Sequence, residues 1–304
     1  MLDFGSLLCY PRSQLISILR SMLNARYAMF RERVSDNIYV FTSDLYAQVT
    51  AGVVVTPAGA ILIDSLPFPS ETQEMASFIS GVCREGVRYV VLTHYHADHA
   101  YGTYLFPEAD LVSHKLCHHL LQERGYPALE EAKAQEPLLE DVRLRLPDVT
   151  FEGEEMALQI AGQIIQLIWA PGHTRDLLMV YIENDQVLFA SDTMMPVPSV
   201  ADGDVDAYRE SLKKIKGLEI NNLVQGHGEV VLVGEVNKAV DAGLLYLDAI
   251  EEKVRVAIDS GEGKGALRDD NIESTGLSRL PLHGQVQGIH IANLMALHDR
   301  RSRE

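Results

Sequence analysis

Residues 93–99 read Thr-His-Tyr-His-Ala-Asp-His, which puts three imidazoles and a carboxylate (His94, His96, Asp98 and His99) within six residues, directly after the apolar run 88–92. Imidazole nitrogen and carboxylate oxygen are borderline-to-hard donors that suit zinc, manganese or iron. Side chains two apart on a strand project the same way, so His94 and His96 can grip one ion. Asp98 and His99 lie past the strand end and can offer a second set. Three further stretches put a ligand-type side chain just past an apolar run. They are Trp-Ala-Pro-Gly-His-Thr with His173, Phe-Ala-Ser-Asp-Thr with Asp192, and Val-Gln-Gly-His-Gly with His227. A lone histidine or aspartate in such a place is more often a cap or a turn former. Four such stretches in one chain point to a metal centre at the rim of a sheet.

The elements that must position these residues alternate between two periods. Residues 37–41, 48–55 and 60–64 read as strands, with Thr56-Pro57-Ala58-Gly59 as a hairpin turn and Asp64 ending the third strand. Ser70 and Gln73 form a capping box for a helix whose apolar stripe is Met75, Phe78, Ile79 and Val82 and which Gly86 closes. Strand 88–92, a short strand 110–113 and a helix 115–124 follow. Residues 125–148, rich in proline and acidic side chains, read as an irregular or partly helical insertion, either leaning over the pocket or, at least as readily, a solvated excursion. Strands return at 156–160, 163–169, 178–182, 187–190 and 222–224, with a loop at 194–204 and a helix at 205–215. After Gly234 the chain reads as helical, with a polar break at 260–276 and a last helix near 285–299. This order of strands and helices argues for an α/β sandwich with sheets inside. The expected division is an N-terminal helical arm over 1–33, an αβ/βα domain over 34–233 and a C-terminal helical extension over 234–304 packed on it.

Bulk properties exclude several classes. A net charge of −17 over 304 residues argues against nucleic acid as the main partner, which needs a concentrated basic face. No apolar run approaches the ~20 residues of a membrane span, and the N-terminal stretch lacks a signal-peptide core. The three cysteines, Cys9, Cys83 and Cys117, show no pairing pattern, which suits a reducing compartment. A cytoplasmic protein acting on a small molecule is expected, with the apolar N-terminal arm hinting at a homodimer.

Asp64, the His-x-His-x-Asp-His run, His173, Asp192 and His227 together resemble the metallo-β-lactamase fold superfamily over residues 34–233. That resemblance implies a four-layer αβ/βα sandwich. It implies one metal on His94, His96 and His173, a second on Asp98, His99 and His227, and Asp192 bridging both. It also implies that Asp64 steadies the ligand loop, a role in which Thr93 and Thr174 can assist. Two divalent ions, zinc first and manganese or iron next, about 3.5–4 Å apart can share a hydroxide and lower its pKa towards ~7. Asp98 can hold that hydroxide and receive a proton. The expected activity is hydrolysis of an ester-like bond: a thioester, a lactone or a phosphoester.

The superfamily's true β-lactamases commonly carry Cys or Ser where Asp192 stands, and its diiron branch carries Glu where His96 stands, so neither activity is expected. Its RNA-processing branches carry basic exosites or extra domains that this chain lacks. The remaining rival is an oxidoreductase, a persulfide dioxygenase with one iron on residues matching His94, His173 and Asp192. Met194, Met195 and Val197, directly after Asp192, are placed to line an apolar substrate pocket. Tyr95, Tyr101 and Tyr208 are candidates for a helper tyrosine, with packing the better reading. His114 and His118, read as four apart on one helix face, are taken as solvated.

Overall fold

The run Ala60-Ile61-Leu62-Ile63 has no polar residue to turn towards water on either side, and such a strand must be covered on both faces. In the computed structural model, which describes residues 29–261 and 263–303, it is. Ala60 and Leu62 face a core shared with helices, whereas Ile61 and Ile63 face a core shared with a second sheet. Alternation along each central strand therefore builds two sheets back to back with helices outside both, the expected four-layer sandwich.

The first sheet runs in chain order. It contains β1 (Phe30–Ser35), β2 (Ile38–Thr42), β3 (Thr50–Thr56), β4 (Gly59–Ile63), β5 (Val87–Val91), β6 (Asp110–His114) and β7 (Val149–Phe151). Its strands are antiparallel up to β4 and parallel from β4 to β7. The parallel half needs crossovers, and α1 (Pro69–Val82), α2 (Ala97–Ala100), α3 (Lys115–Leu120) and α4 (Tyr126–Gln135) lie on those connections. The second sheet contains β8 (Glu155–Ile160), β9 (Gln163–Trp169), β10 (Leu178–Ile182), β11 (Val187–Ser191), β12 (Asn222–Gln225) and β13 (Val231–Leu232), in the order β13-β12-β11-β10-β9-β8. Its outer face is covered by α5 (Val205–Lys216), α6 (Val236–Asp259) and α7 (Val286–Arg301). Tyr208, Leu212 and Ile215 form the buried stripe of α5, and burying each aliphatic side chain contributes about 1.5–3 kcal/mol.

Several expectations change. Of the helical arm expected over 1–33, residues 1–28 lie outside the described residues, and Phe30–Ser35 is a strand paired with β2. Ser70 does not cap α1: Pro69 occupies the first turn and Phe68 stands at the N-cap without a side-chain bond, because proline's fixed φ suits that first position. The helix ends at Val82, and Gly86, at φ 73°, turns the chain into β5 instead of closing the helix. The 125–148 stretch is partly helical, carrying α4 and a 3₁₀ turn at Pro137–Leu139. Strands β7 and β13, of 3 and 2 residues, carry too little pattern to be read.

The two sheets are stitched together at one rim. Leu178 N donates to Thr93 O at 3.0 Å, Thr50 N to Gly226 O at 2.9 Å, and Thr50 Oγ1 to Gln225 O at 2.5 Å. An isolated antiparallel bridge joins Val49 to His227. Among the described residues, no helix is long and apolar enough to cross a membrane.

Candidate metal centre

Every ligand candidate stands just beyond a strand or on the short α2 that follows one. His94 and His96 follow β5, and Asp98 and His99 open α2. His173 lies between β9 and β10, Asp192 follows β11, and His227 follows β12. Two sharp turns aim them. Asp64, at the end of β4, has φ 57°, and Ser191, the last residue of β11, has φ 46°. Left-handed backbone at a non-glycine residue costs about 1–3 kcal/mol and persists only where the surroundings demand it.

The donor atoms form two groups, each within 4.8 Å: His94, His96, His173 and Asp192, and Asp98, His99 and His227. The two carboxylate oxygens of Asp192 face different groups. Its Oδ2 is 3.2 Å from His173 Nε2 and 4.0 Å from His94 Nε2, while its Oδ1 is 3.4 Å from His99 Nε2 and 3.7 Å from His227 Nε2. His96 turns Nδ1 towards His173 Nε2 at 2.9 Å, and Asp98 Oδ2 lies 3.3 Å from His227 Nε2. The mouth of the cluster is at His96 and Asp98, whose side chains are 27% and 16% exposed; His94, His99, His173, Asp192 and His227 are buried.

The far nitrogens are anchored. His173 Nδ1 donates to Ser199 O and His227 Nδ1 to Ala47 O, each at 2.9 Å. His99 Nδ1 meets Asp64 Oδ2 at 2.8 Å, and His94 Nδ1 meets Thr93 Oγ1 at 3.1 Å. Such bonds fix the tautomer and leave Nε2 free as a donor. Asp64 also accepts Thr93 N and Thr93 Oγ1, both at 2.7 Å, so one carboxylate holds the ligand loop at three points.

Burial and neighbouring charge divide the cluster. Burial pushes His94 well below the ordinary imidazole value, helped by His99 and His96, and it pushes His173 down to about 4. Burial also opposes charge on His99 and His227, yet the carboxylates outweigh it and raise both: Asp64, Asp192 and Asp98 for His99, Asp192 and Asp98 for His227. Burial would raise Asp98 and Asp192, but His99 and His227 hold Asp98 low, and His227, His173 and His99 hold Asp192 low.

A divalent ion fits these residues. His94 Nε2, His99 Nε2 and Asp192 Oδ1 are buried without a hydrogen-bond partner, although buried polar atoms are nearly always paired. Uncompensated buried donors converging from separate strands are what cations relieve.

Other sequence candidates are placed differently. Met194 and Val197 pack into the core beneath the second sheet and Met195 is buried, so the expectation that these residues line an apolar substrate pocket does not hold for the core pair. A residue after a strand in this fold can turn inwards to the helical layer as readily as outwards. Tyr208 Oη donates to Asp192 O at 2.7 Å and so supports the backbone of that residue. Tyr95 Oη donates to Asp202 Oδ2 at 2.6 Å. His114 ends β6, caps α3 by accepting Leu116 N and stacks on Trp169, so it does not share a helix face with His118.

Sequence reasoning did not single out Ser191, whose Oγ meets Thr93 Oγ1 at 2.8 Å, or Asp176, whose Oδ2 accepts Tyr95 N at 2.9 Å from the middle of the ligand loop. It also missed Asp202, which receives Arg124 at 2.9 Å and stands 3.8 Å from His96 Nε2. The carbonyls of Ala47 and Ser199 have no side-chain signature at all. For Asp176 a faint signal existed: a carboxylate three residues after His173 and directly before the apolar run that opens β10.

The chain is 26% identical over 178 residues to the Beta-lactamase-like protein 2 homolog of Caenorhabditis elegans, covering 58% of this chain and 54% of that one. It is 23% identical over 241 residues to the Atrochrysone carboxyl ACP thioesterase of Aspergillus fumigatus (75% and 68%), and 29% identical over 152 residues to the Hydroxyacylglutathione hydrolase of Rhodopseudomonas palustris (49% and 51%). The match thus spans about half the length of the first and third of these relatives. Among solved structures, a metallo-beta-lactamase from Pontibacter korlensis superposes with a TM-score of 0.59 at 20% identity, over 70% of this chain and 98% of that one, a likeness of fold. The family model described as Metallo-beta-lactamase superfamily matches residues 46–227, a span that holds every ligand candidate, and the chain belongs to that superfamily.

Proposed function

We propose that this protein is a metal-dependent hydrolase that holds two divalent ions and cleaves an ester-like bond, a thioester first. The observation that carries the reading is the split of Asp192, with Oδ2 turned to one group of imidazoles and Oδ1 to the other. His94 Nε2, His96 Nδ1, His173 Nε2 and Asp192 Oδ2 would hold one ion. Asp98 Oδ2, His99 Nε2, His227 Nε2 and Asp192 Oδ1 would hold the other. When bound, such ions supply Lewis acidity to the scissile carbonyl and lower the pKa of water. Nitrogen and oxygen donors of this kind favour zinc, with manganese or iron as substitutes.

The chain's own residues supply the rest. Asp98 lies at the open side of the cluster, where its carboxylate, held ionised by His99 and His227, can orient the attacking water and take up its proton. Asp64 and Thr93 keep His99 and the ligand loop in register. Lactones and phosphoesters are the same reaction class; thioesters come first because two of the relatives are named a thioesterase and a hydroxyacylglutathione hydrolase.

The test is metal analysis of protein purified without added metal, joined to thiol release from a panel of acyl thioesters. Two zinc ions per chain and thiol release support the reading. Asp192→Ala should lose one or both metals and at least 100-fold in turnover, about 2.7 kcal/mol of barrier. One iron per chain, with oxygen uptake on glutathione persulfide, would replace the hydrolase with an oxidoreductase.

A further inference from the structure

His173 owes its orientation to the Ser199 carbonyl, and that carbonyl lies in loop 194–204, which has no regular structure of its own apart from turns. What holds the loop comes from the far end of the chain. Asn293, on α7, is fully buried and grips the peptide units on both sides of Ser199. Its Oδ1 accepts Val200 N at 2.8 Å, and its Nδ2 donates to Pro198 O at 2.7 Å. The amide is aligned in turn by Tyr246 on α6, whose hydroxyl oxygen accepts from Nδ2 at 3.0 Å and contacts His290 Nδ1 at 3.0 Å. His290 Nε2 meets Asp270 Oδ1 at 3.0 Å, which in turn pairs with Lys253. Arg300 adds bonds to Val200 O at 3.0 Å and Ala201 O at 3.2 Å. Every polar atom of the Asn293 side chain is used, and a fully satisfied buried polar network fixes one arrangement where an apolar contact would allow several.

We propose that Asn293 is a positioning residue for the metal site of His94, His96 and His173: by clasping the peptides around Ser199 it fixes the carbonyl on which His173 hangs. The C-terminal helices thereby steady one ligand of that group, His173, and no anchor of the other group, since His227 hangs on Ala47 and His99 on Asp64. The inference rests on the reading of His173 as a ligand. Groups that orient metal-bound imidazoles are worth about 10- to 100-fold in affinity, and one acting a bond further away belongs at the lower end.

The experiment titrates the metal-free full chain with zinc against a chromophoric chelator, with His173→Ala marking the step that belongs to this site. In Asn293→Ala that step should weaken about tenfold, while the step of Asp98, His99 and His227 stays within about twofold. Asn293→Ala combined with His173→Ala should bind no more weakly than His173→Ala alone. Independently of zinc, the downfield proton resonance of His173 Nδ1–H should shift or broaden in Asn293→Ala. Should that variant fail to fold, Tyr246→Phe and Arg300→Ala, each removing a single outer support, should weaken the same step about two- to threefold. Variants that leave both steps unchanged, or weaken both alike, overturn the proposal alone. A wild type that takes up no zinc overturns the metal centre and this inference with it.

Discussion

Gly226 provides a sharp test of the idea that the Asp192 carboxylate must occupy one place. A β-carbon there would stand 1.9 Å from Asp192 Oδ1, about 1.5 Å short of an ordinary 3.4 Å contact, and also 2.7 Å from the Ser191 carbonyl carbon and 2.8 Å from Asp192 N. The Gly226 peptide is tied, because Gly226 N donates to Ser191 O at 2.9 Å and to Met194 O at 3.1 Å while its carbonyl accepts Thr50 N at 2.9 Å. The carboxylate must therefore move, and the 2.7 Å and 2.8 Å contacts force the Ser191–Asp192 peptide that carries it to shift as well. Metal sites tolerate shifts of only about 0.2 Å in ligand distance, so a displacement several times larger removes Asp192 from both groups at once. In Gly226→Ala we expect zinc affinity to fall at least 100-fold, with turnover lost in parallel. Crowding a packed site should also cost about 1–3 kcal/mol, a few degrees in melting temperature. The assays are zinc titration, thioester hydrolysis and thermal unfolding. Gly234→Ala, where a β-carbon would meet nothing within 4 Å, should be silent in all three. A Gly226→Ala protein that binds two zinc ions with wild-type affinity would refute the shared-carboxylate argument.

Two other outcomes follow from the geometry. Asp64→Asn puts an amide where a carboxylate accepts from Thr93 N, Thr93 Oγ1 and His99 Nδ1, so zinc affinity should drop about 10- to 100-fold; an unchanged titration would show that Asp64 does not steady the ligand loop. Stability of the metal-free protein should peak near pH 6.5, the ordinary imidazole value, because the lowered His94 and His173 make stability fall as pH drops below it and the raised His99 and His227 make stability fall as pH climbs above it. Melting temperatures of chelator-treated protein from pH 5 to 8.5 check this, and a steady rise across the range would contradict it.

Much of the centre was legible in the sequence because metal chemistry leaves a compositional mark. Imidazoles and carboxylates clustered after apolar runs are rare by chance, and all seven ligand candidates converge as the pattern suggested. The sandwich was legible for a related reason: strands apolar on both faces, such as 60–63, demand two coverings. Strand β1 was not, since Phe30-Arg31-Glu32-Arg33-Val34-Ser35 lies at a sheet edge, half open to water, and lacks the alternation that marks a strand. The inward turn of Met194 and Val197 was hidden as well: an apolar residue after a strand is equally compatible with a pocket wall and a core, and only the position of α5 to α7 decides.

Much of the rest of the site was illegible because it is made of backbone. His173 and His227 each hang on a carbonyl, of Ser199 and Ala47, and any residue type supplies one. What makes those carbonyls specific is the path of the chain. Ala47 and Gln48 adopt φ 44° and 51°, and the loop before them is clasped by Glu71, whose carboxylate accepts Ser43 Oγ at 2.7 Å and Asp44 N at 2.9 Å. Ser199 is clasped in the same way by Asn293. Each half of the sandwich thus steadies one imidazole through a loop held by a buried polar side chain on a helix of its own outer layer, Glu71 on α1 and Asn293 on α7. The ligand motif accounts for the donors. The placing of His173 and His227 owes much to two helices that carry no ligand candidate, which is why substitutions in those outer layers should act selectively on one group of donors or the other.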